Sequence, residues 1–181
     1  MKKTVKRVAA VMMAFLVCIS MTACMEKQSY AEFDEGTQHV VFKDLEIDIP
    51  SAWVMDEEES TDNSVWYHKN VRSVTQSMFY MSSGQTKEDF DAANEEDKFF
   101  DQYLIELGRS EGVTHMSEAK ASEFAGNQMR YVTYDQDISH HDYKVQTYLI
   151  LKGKTYYNIT FGTFVDNEDD FAKSFETLEM K

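Results

Sequence analysis

Proline and cysteine are nearly missing from this chain. Its 181 residues include one Pro, two Cys and seven Gly, and 18 basic residues stand against 32 acidic ones. Each scarcity excludes something. Two Cys cannot build the disulfide framework on which small secreted scaffolds depend. The Gly residues form no Gly-x-Gly-x-x-Gly and no phosphate loop, so nucleotide binding has no motif to rest on. There is no Gly-x-Ser-x-Gly elbow, and no Ser-x-x-Lys accompanied by its partner motifs. The shortage of positive charge leaves no basic stripe for a phosphate backbone, which excludes a nucleic-acid partner.

What is present begins with a leader. Lys2, Lys3, Lys6 and Arg7 precede an apolar run from Val8 to Ala23, interrupted only by Ser20 and Thr22. A basic start, a short apolar stretch and a small residue at its end describe a secretory signal peptide over residues 1–23. The run falls short of the roughly 20 apolar residues that cross a bilayer core. Its end, Met21-Thr22-Ala23-Cys24, resembles the lipobox of bacterial lipoproteins, with Met21 in place of the usual Leu. The resemblance implies cleavage before Cys24, a diacylglyceryl thioether on Cys24 with palmitate-type acylation, and a protein anchored on the outer face of the cytoplasmic membrane. The alternative is ordinary cleavage after Ala23 with an unmodified thiol. Two acyl chains hold a protein stably where one holds it marginally.

Removing the leader leaves 158 residues, enough for one domain. The leader holds four of the basic residues and none of the acidic ones, so the body carries 14 basic against 32 acidic residues, a net −18. A body so charged has no patch with which to grip anionic lipid, and attachment falls to Cys24. Cys18 leaves with the leader, so once Cys24 is acylated the folded domain has no thiol for a disulfide, a metal or a nucleophile.

Residues 24–37 read as the lipidated Cys and a polar tether, followed by one domain over 38–181. Val40, Phe42, Leu45, Ile47 and Ile49 predict a hairpin turning at Lys43-Asp44 and stopped by Pro50. Trp53 reads as a core anchor. Strands are expected over Val65–His68 and Ser73–Ser82, the second ended by Ser83-Gly84. A long helix is expected over about Lys87–Leu107, capped by Thr86, with Phe90, Ala93, Phe100, Tyr103, Leu104 and Leu107 on its apolar face. Four strand segments follow, over about Thr114–Phe124, Gln128–Asp137, Tyr143–Leu151 and Thr155–Thr163. Turn chemistry at Ala125-Gly126-Asn127, Ser139-His140-His141-Asp142 and Gly153-Lys154 makes them an antiparallel meander. Phe171, Phe175 and Leu178 mark a short final helix beginning near Asp166.

This order of elements carries a second resemblance. It rests on Ile49-Pro50-Ser51-Ala52-Trp53, Phe124-Ala125-Gly126-Asn127, Met129-Arg130-Tyr131 and Tyr156-Tyr157-Asn158-Ile159-Thr160-Phe161. The chain from Val40 to Leu178 looks like the PsbP-like and DcrB-like superfamily. That resemblance implies an α+β fold, an α/β/α sandwich with a mainly antiparallel central sheet, one long helix and one short C-terminal helix. It implies accessory proteins of membrane complexes and small exported lipoproteins, and no shared catalytic residue.

Candidate sites are few. His140-His141 with Asp137 and Asp142 is the most metal-like cluster, yet adjacent strand residues point to opposite faces, and a polar turn is the competing reading. Trp66, Tyr148 and Tyr156 are candidates for an aromatic binding surface, against plain sheet packing. No cofactor is implied. The reading that follows is a lipid-anchored extracytoplasmic accessory or binding protein assisting an envelope or membrane protein partner. The rivals are an envelope hydrolase or metal-dependent enzyme and a small-ligand or lipid carrier, which would need an apolar cavity.

Overall fold

Strand β1 (Thr37–Phe42) turns at Lys43, which takes a positive φ of 55°, into β2 (Leu45–Pro50). This is a computed structural model; it describes residues 32–72, 74–165 and 168–181. The leader, Cys24 and the tether as far as residue 31 lie outside the described residues. So do Ser73 and Asp166, where a strand and the last helix are expected to begin.

After the first hairpin come β3 (Val54–Met55), β4 (Ser64–Val71), β5 (Val74–Gln85) and helix α1 (Ala92–Gly108). Then follow β6 (Val113–Thr114), β7 (Lys120–Phe124), β8 (Asn127–Ile138), β9 (His141–Lys152) and β10 (Thr155–Thr163). Helix α2 (Glu168–Glu176) and β11 (Glu179–Met180) close the chain. The strands form two antiparallel sheets. Three are ordered β1-β2-β11, and eight are ordered β3-β4-β5-β10-β9-β8-β6, with β7 also on β8.

Alternation along β10 sorts the layers. Tyr157, Ile159 and Phe161 meet Phe79, Trp53 and Phe171, the last from α2. Phe161 stacks on Phe171 at 5.1 Å. Tyr156 and Asn158 point the other way, where Phe99 of α1 lies 5.4 Å from Tyr156 and the Tyr103 hydroxyl accepts an Asn158 Nδ2–H bond at 2.8 Å. The two helices therefore cover opposite faces of the large sheet, and the three-stranded sheet shares the α2 layer. The α+β architecture with helices on both faces is the one expected. Its core anchor is Trp53, 1% exposed.

The hairpins follow their turn residues. Ala125 and Gly126 have φ of 49° and 76°, and Ser139 and His140 have 54° and 67°. Paired positive φ values match the right-handed twist of the flanking strands.

Five expectations are corrected. The β5 strand runs past Ser83-Gly84 to Gln85, because Gly84 pairs with Tyr156 and lets its ring lie on the backbone; a Cβ there would sit 2.4 Å from that ring. Helix α1 starts at Ala92, not Lys87. Thr86 caps nothing, since its N–H and hydroxyl both bond the Lys154 carbonyl. The segment expected over Thr114–Phe124 is two short strands separated by residues 115–119, which open on His115 with a φ of 49°. The short strands β3 and β11 carry too little pattern to be foreseen. The polar stretch assigned to the tether up to Thr37 folds from residue 32 onward. Glu32–Glu35 form a 3-10 turn, and Glu32 is 2% exposed.

Candidate functional site

The type of turn at Ser139-His140 sets the register of β8 against β9. Tyr131, Thr133 and Asp135 stand opposite Tyr148, Gln146 and Lys144. Directly opposed residues share a face, and Tyr148 packs on Phe175 of α2 at 3.8 Å with near-parallel rings. All six side chains thus belong to the α2 face. Glu168, the first residue of α2, borders an open cleft of about 260 Å³ that the described residues leave on this face of the sheet. His115, Tyr131, Thr133, Asp135, Lys144, Gln146 and Glu168 line it.

One end of this groove is aromatic. Tyr131 lies 4.8 Å from Tyr148, and the Lys120 ammonium sits 5.7 Å over the Tyr131 ring. The other end is charged. Lys144 Nζ donates to Asp135 Oδ1 at 2.6 Å, and His115 Nδ1 lies 3.1 Å from Asp135 Oδ2. His115 reaches this face because its left-handed backbone breaks the edge strand. Ser117 then restores pairing: its N–H donates to the Thr133 carbonyl at 2.8 Å, and its hydroxyl accepts the Thr133 N–H at 3.1 Å.

The electrostatics follow from these contacts. The hydrogen bond from Lys144 holds the Asp135 carboxyl below the ordinary carboxylate range, and the same bond raises the Lys144 amine. Burial raises the Tyr148 and Tyr131 hydroxyls, with Glu168 adding to the effect at Tyr131. Every shift favours the form already dominant at neutral pH. The groove therefore presents fixed charges, hydroxyls and an amide on an aromatic floor, an arrangement suited to polar recognition and poorly matched to proton transfer.

The sequence candidates are dispersed. Tyr148 does not line this groove: it lies behind Tyr131, between that ring at 4.8 Å and Phe175 at 3.8 Å. Trp66 and Tyr156 lie on the opposite face: Trp66 packs on Tyr80 at 4.2 Å, and Tyr156 sits between Gly84 and Phe99. The structure does not bring the three together. His140 occupies the turn, its N–H bonded to Asp137 Oδ1 at 2.9 Å, while His141 stacks on Phe164 at 4.8 Å. Among the described residues no group of three or more His, Cys, Asp or Glu converges as a metal set. Cys24 lies outside the described residues.

Thr133, Asp135, Lys144, Gln146 and His115 were not singled out from sequence. A signal existed for four of them. Once Ser139-His140 is taken as a two-residue turn, positions equidistant from it pair across the hairpin, which sets Asp135 against Lys144 and Thr133 against Gln146.

Two larger depressions flank α1. One, of about 470 Å³, is lined by Gln85, Lys87, Phe90, Phe99 and Gln102. The other, of about 440 Å³, follows the helix stripe Lys98, Gln102, Ile105 and Arg109. Both are open to solvent.

No family model matches the chain, and no curated protein is similar to it in sequence. Solved structures share its fold. The Ran-binding protein Mog1p of Saccharomyces cerevisiae superposes with a TM-score of 0.52 at 11% identity, over 80% of this chain and 95% of that one. Cyanobacterial PsbP (CyanoP) from Synechocystis sp. PCC 6803 gives 0.52 at 10% identity, over 80% and 92%. A crystal structure from Bacteroides thetaiotaomicron VPI-5482 gives 0.51 at 11% identity over 80% of this chain, which spans 48%, about half, of that longer chain. The domain thus has the PsbP-like fold expected from its order of elements.

Proposed function

We propose that this chain is a non-catalytic accessory protein, lipid-anchored through Cys24 on the extracytoplasmic face of a bacterial membrane, whose domain binds a protein partner through the β8–β9 groove. The observation that carries this reading is the groove itself: a stretch of sheet that, among the described residues, the α2 layer leaves uncovered, with Asp135 paired to Lys144 and Tyr131 as its aromatic wall. Two further points support it. The fold is shared with a protein named for binding Ran and with a cyanobacterial PsbP. The leader ends in the lipobox-like Met21-Thr22-Ala23-Cys24.

A carrier finds less support. The space between the large sheet and the α2 layer is filled by Trp53, Phe79, Phe161 and Phe171, with neighbouring ring centres 5.0–6.4 Å apart.

The test places a photoreactive phenylalanine at Gln146 in the groove and, separately, at the exposed Ile105 on α1. Irradiation of intact membranes should give one discrete adduct from position 146 and none from position 105. Adding Thr133→Arg should abolish it. Indiscriminate adducts from both positions, or none from Gln146, sink the reading.

A further inference from the structure

The small sheet ends in a strand that is paired on one side only. Its order is β1-β2-β11, and β1 meets β2 in a register running from Phe42 opposite Leu45 to Thr37 opposite Pro50. Phe42 and Leu45 close the two-residue turn, so Phe42, Val40 and Gln38 direct their backbone groups to β2. The Gly36 carbonyl, which accepts the Ser51 N–H at 2.9 Å, keeps the same rhythm. Thr37, His39 and Val41 therefore turn their N–H and C=O groups outward, and among the described residues no hydrogen bond meets those backbone groups. Edge strands are normally blunted by shortness, charge or proline. The other outer strands follow that rule: β3, β6 and β11 have two residues each, and β7 carries Lys120 and Glu123. Strand β1 has six residues, Thr-Gln-His-Val-Val-Phe, and none of these devices.

The flank on which β1 lies is apolar with an acidic border. On the far side of β2, the Met180 sulfur of β11 accepts an Asn127 Nδ2–H bond at 3.4 Å, which sets β11 toward β8 and β1 toward the opposite edge of the large sheet. Gln38 agrees with this, since its Nε2–H donates to the carbonyl of Trp53, the residue before β3. Val41, Val54 and Met55, on these two edge strands, are 58%, 63% and 41% exposed. Met55 stands opposite Tyr67, whose ring packs with Phe79, so Met55 is on the face that the small sheet covers. Carboxylates border both strands: Glu35 shortly before β1, Asp48 opposite His39, and Glu57, Glu58 and Glu59 shortly after β3. The N–H groups of Glu58 and Glu59 both donate to Asp56 Oδ1 at 3.1 Å, which holds that turn beside the strand. Of the nearby cations, Lys69 pairs with Glu32 and Lys173 with Asp34, while Lys43 lies in the turn past the end of β1.

We propose that β1 takes on an extended, basic and apolar segment of a partner protein as a fourth strand of the small sheet. Main-chain bonds to Thr37, His39 and Val41 supply the pairing. The pleat fixes the pattern of the segment. Alternate side chains turn inward, where apolar ones meet Met55, and the others turn outward, where Lys or Arg reaches the carboxylate border. A second copy of this chain is a poor occupant, because it brings the same carboxylates and the same acidic excess against one another. The proposal rests neither on the β8–β9 groove nor on the anchor at Cys24.

The test uses the full chain, purified in detergent, with amide exchange read by NMR. The probe is an acetylated and amidated Lys-Val-Lys-Val-Lys-Val peptide. At saturation it should slow exchange of the Thr37, His39 and Val41 amides about tenfold, with no comparable slowing on α1. The Glu-Val counterpart, and the same Lys-Val peptide methylated on every backbone nitrogen, should slow none of them. Val41→Lys should remove the protection in a chain that still folds. Val41→Pro should do the same, since it takes away an N–H that makes no ladder bond. Thr133→Arg in the groove should leave the protection intact. Protection that appears without the probe and grows with protein concentration makes a second copy the occupant and overturns the proposal. So does an absence of protection at β1, binding that survives backbone methylation or Val41→Lys, or protection lost with Thr133→Arg.

Discussion

Asp135 shows how much a single side chain can owe to its neighbours. It is tied to Lys144 and to His115, and the hydrogen bond from Lys144 is the chief reason its carboxyl sits below the usual range. A carboxyl whose folded pKa is depressed contributes stability above its unfolded pKa and loses it as pH falls through the folded value. The pair is solvent-accessible, so its share is small. Lys144→Met should move the Asp135 titration up toward the ordinary carboxylate range, and a carboxyl ¹³C NMR titration reads this directly. An Asp135 midpoint that stays where it was in the variant would mean that Lys144 is not the cause. Gly112 shows the same dependence in the backbone. Its φ is 78°, and a Cβ there would lie 2.5 Å from the Asp137 carbonyl oxygen, so the chain after α1 meets β8 only because that position is glycine.

Helix α1 shows where element boundaries come from. Thr86 followed by Glu88 and Asp89 reads as a helix start, yet the β5–β10 pairing extends to Gln85 and claims Thr86 for the Lys154 carbonyl. The helix begins five residues later than expected, at a different cap. Asp91 supplies the first helical carbonyl, to Glu95 N–H at 2.8 Å, and its own N–H donates back to Glu95 Oε2 at 3.0 Å. Asp91→Ala should cost about 1 kcal/mol in urea unfolding and speed hydrogen exchange in the first turn of α1. Thr86→Ala should leave those amides unchanged; if it speeds them and Asp91→Ala does not, the helix begins where the sequence pattern placed it. The meander strands were legible because their turns announce themselves: Ala125-Gly126 and Ser139-His140 adopt the positive φ values that two-residue hairpins require. The groove was not legible as a site. Tyr148, singled out as an aromatic, lies behind its lining, and Thr133, Asp135, Lys144 and Gln146 become neighbours only once register places them opposite one another.

At the scale of the whole molecule, the decisive contact is the least visible in sequence. Glu32 belongs to a polar stretch with no periodicity, yet it bridges Trp53, Lys69 and, through its N–H, Asp170, which is 138 residues away. Burial raises the Asp170 carboxyl pKa even though two backbone N–H groups oppose the shift. A raised carboxyl makes its contribution greatest below the unfolded pKa and loses it as pH rises through the folded value. Glu32→Ala leaves the Trp53 indole N–H without its acceptor and takes the carboxylate from Lys69. It should cost about 2 kcal/mol in thermal or urea unfolding, against at most about 0.5 kcal/mol for the exposed Glu35→Ala. Equal effects from the two variants would reduce the Glu32 network to surface chemistry.

The sequence by itself determined what local chemistry can determine. The single Pro at the end of β2, the paired turn residues, the alternation of Val145, Leu149 and Leu151, and the Trp53 anchor specify hairpins, faces and a core. The residue types and spacing of the leader set the expectation for Cys24. Only the tertiary structure decided that Tyr148 and Tyr156 part to opposite faces, that Thr86 joins a sheet and not a helix, that the hairpin of β1 and β2 stands in a sheet separate from the large one, and that Glu32 is built into the core of the fold. The physical reason is common to all four. Each depends on which of several available partners a group meets across the fold, and pairing between positions far apart along the chain leaves no periodic trace in it.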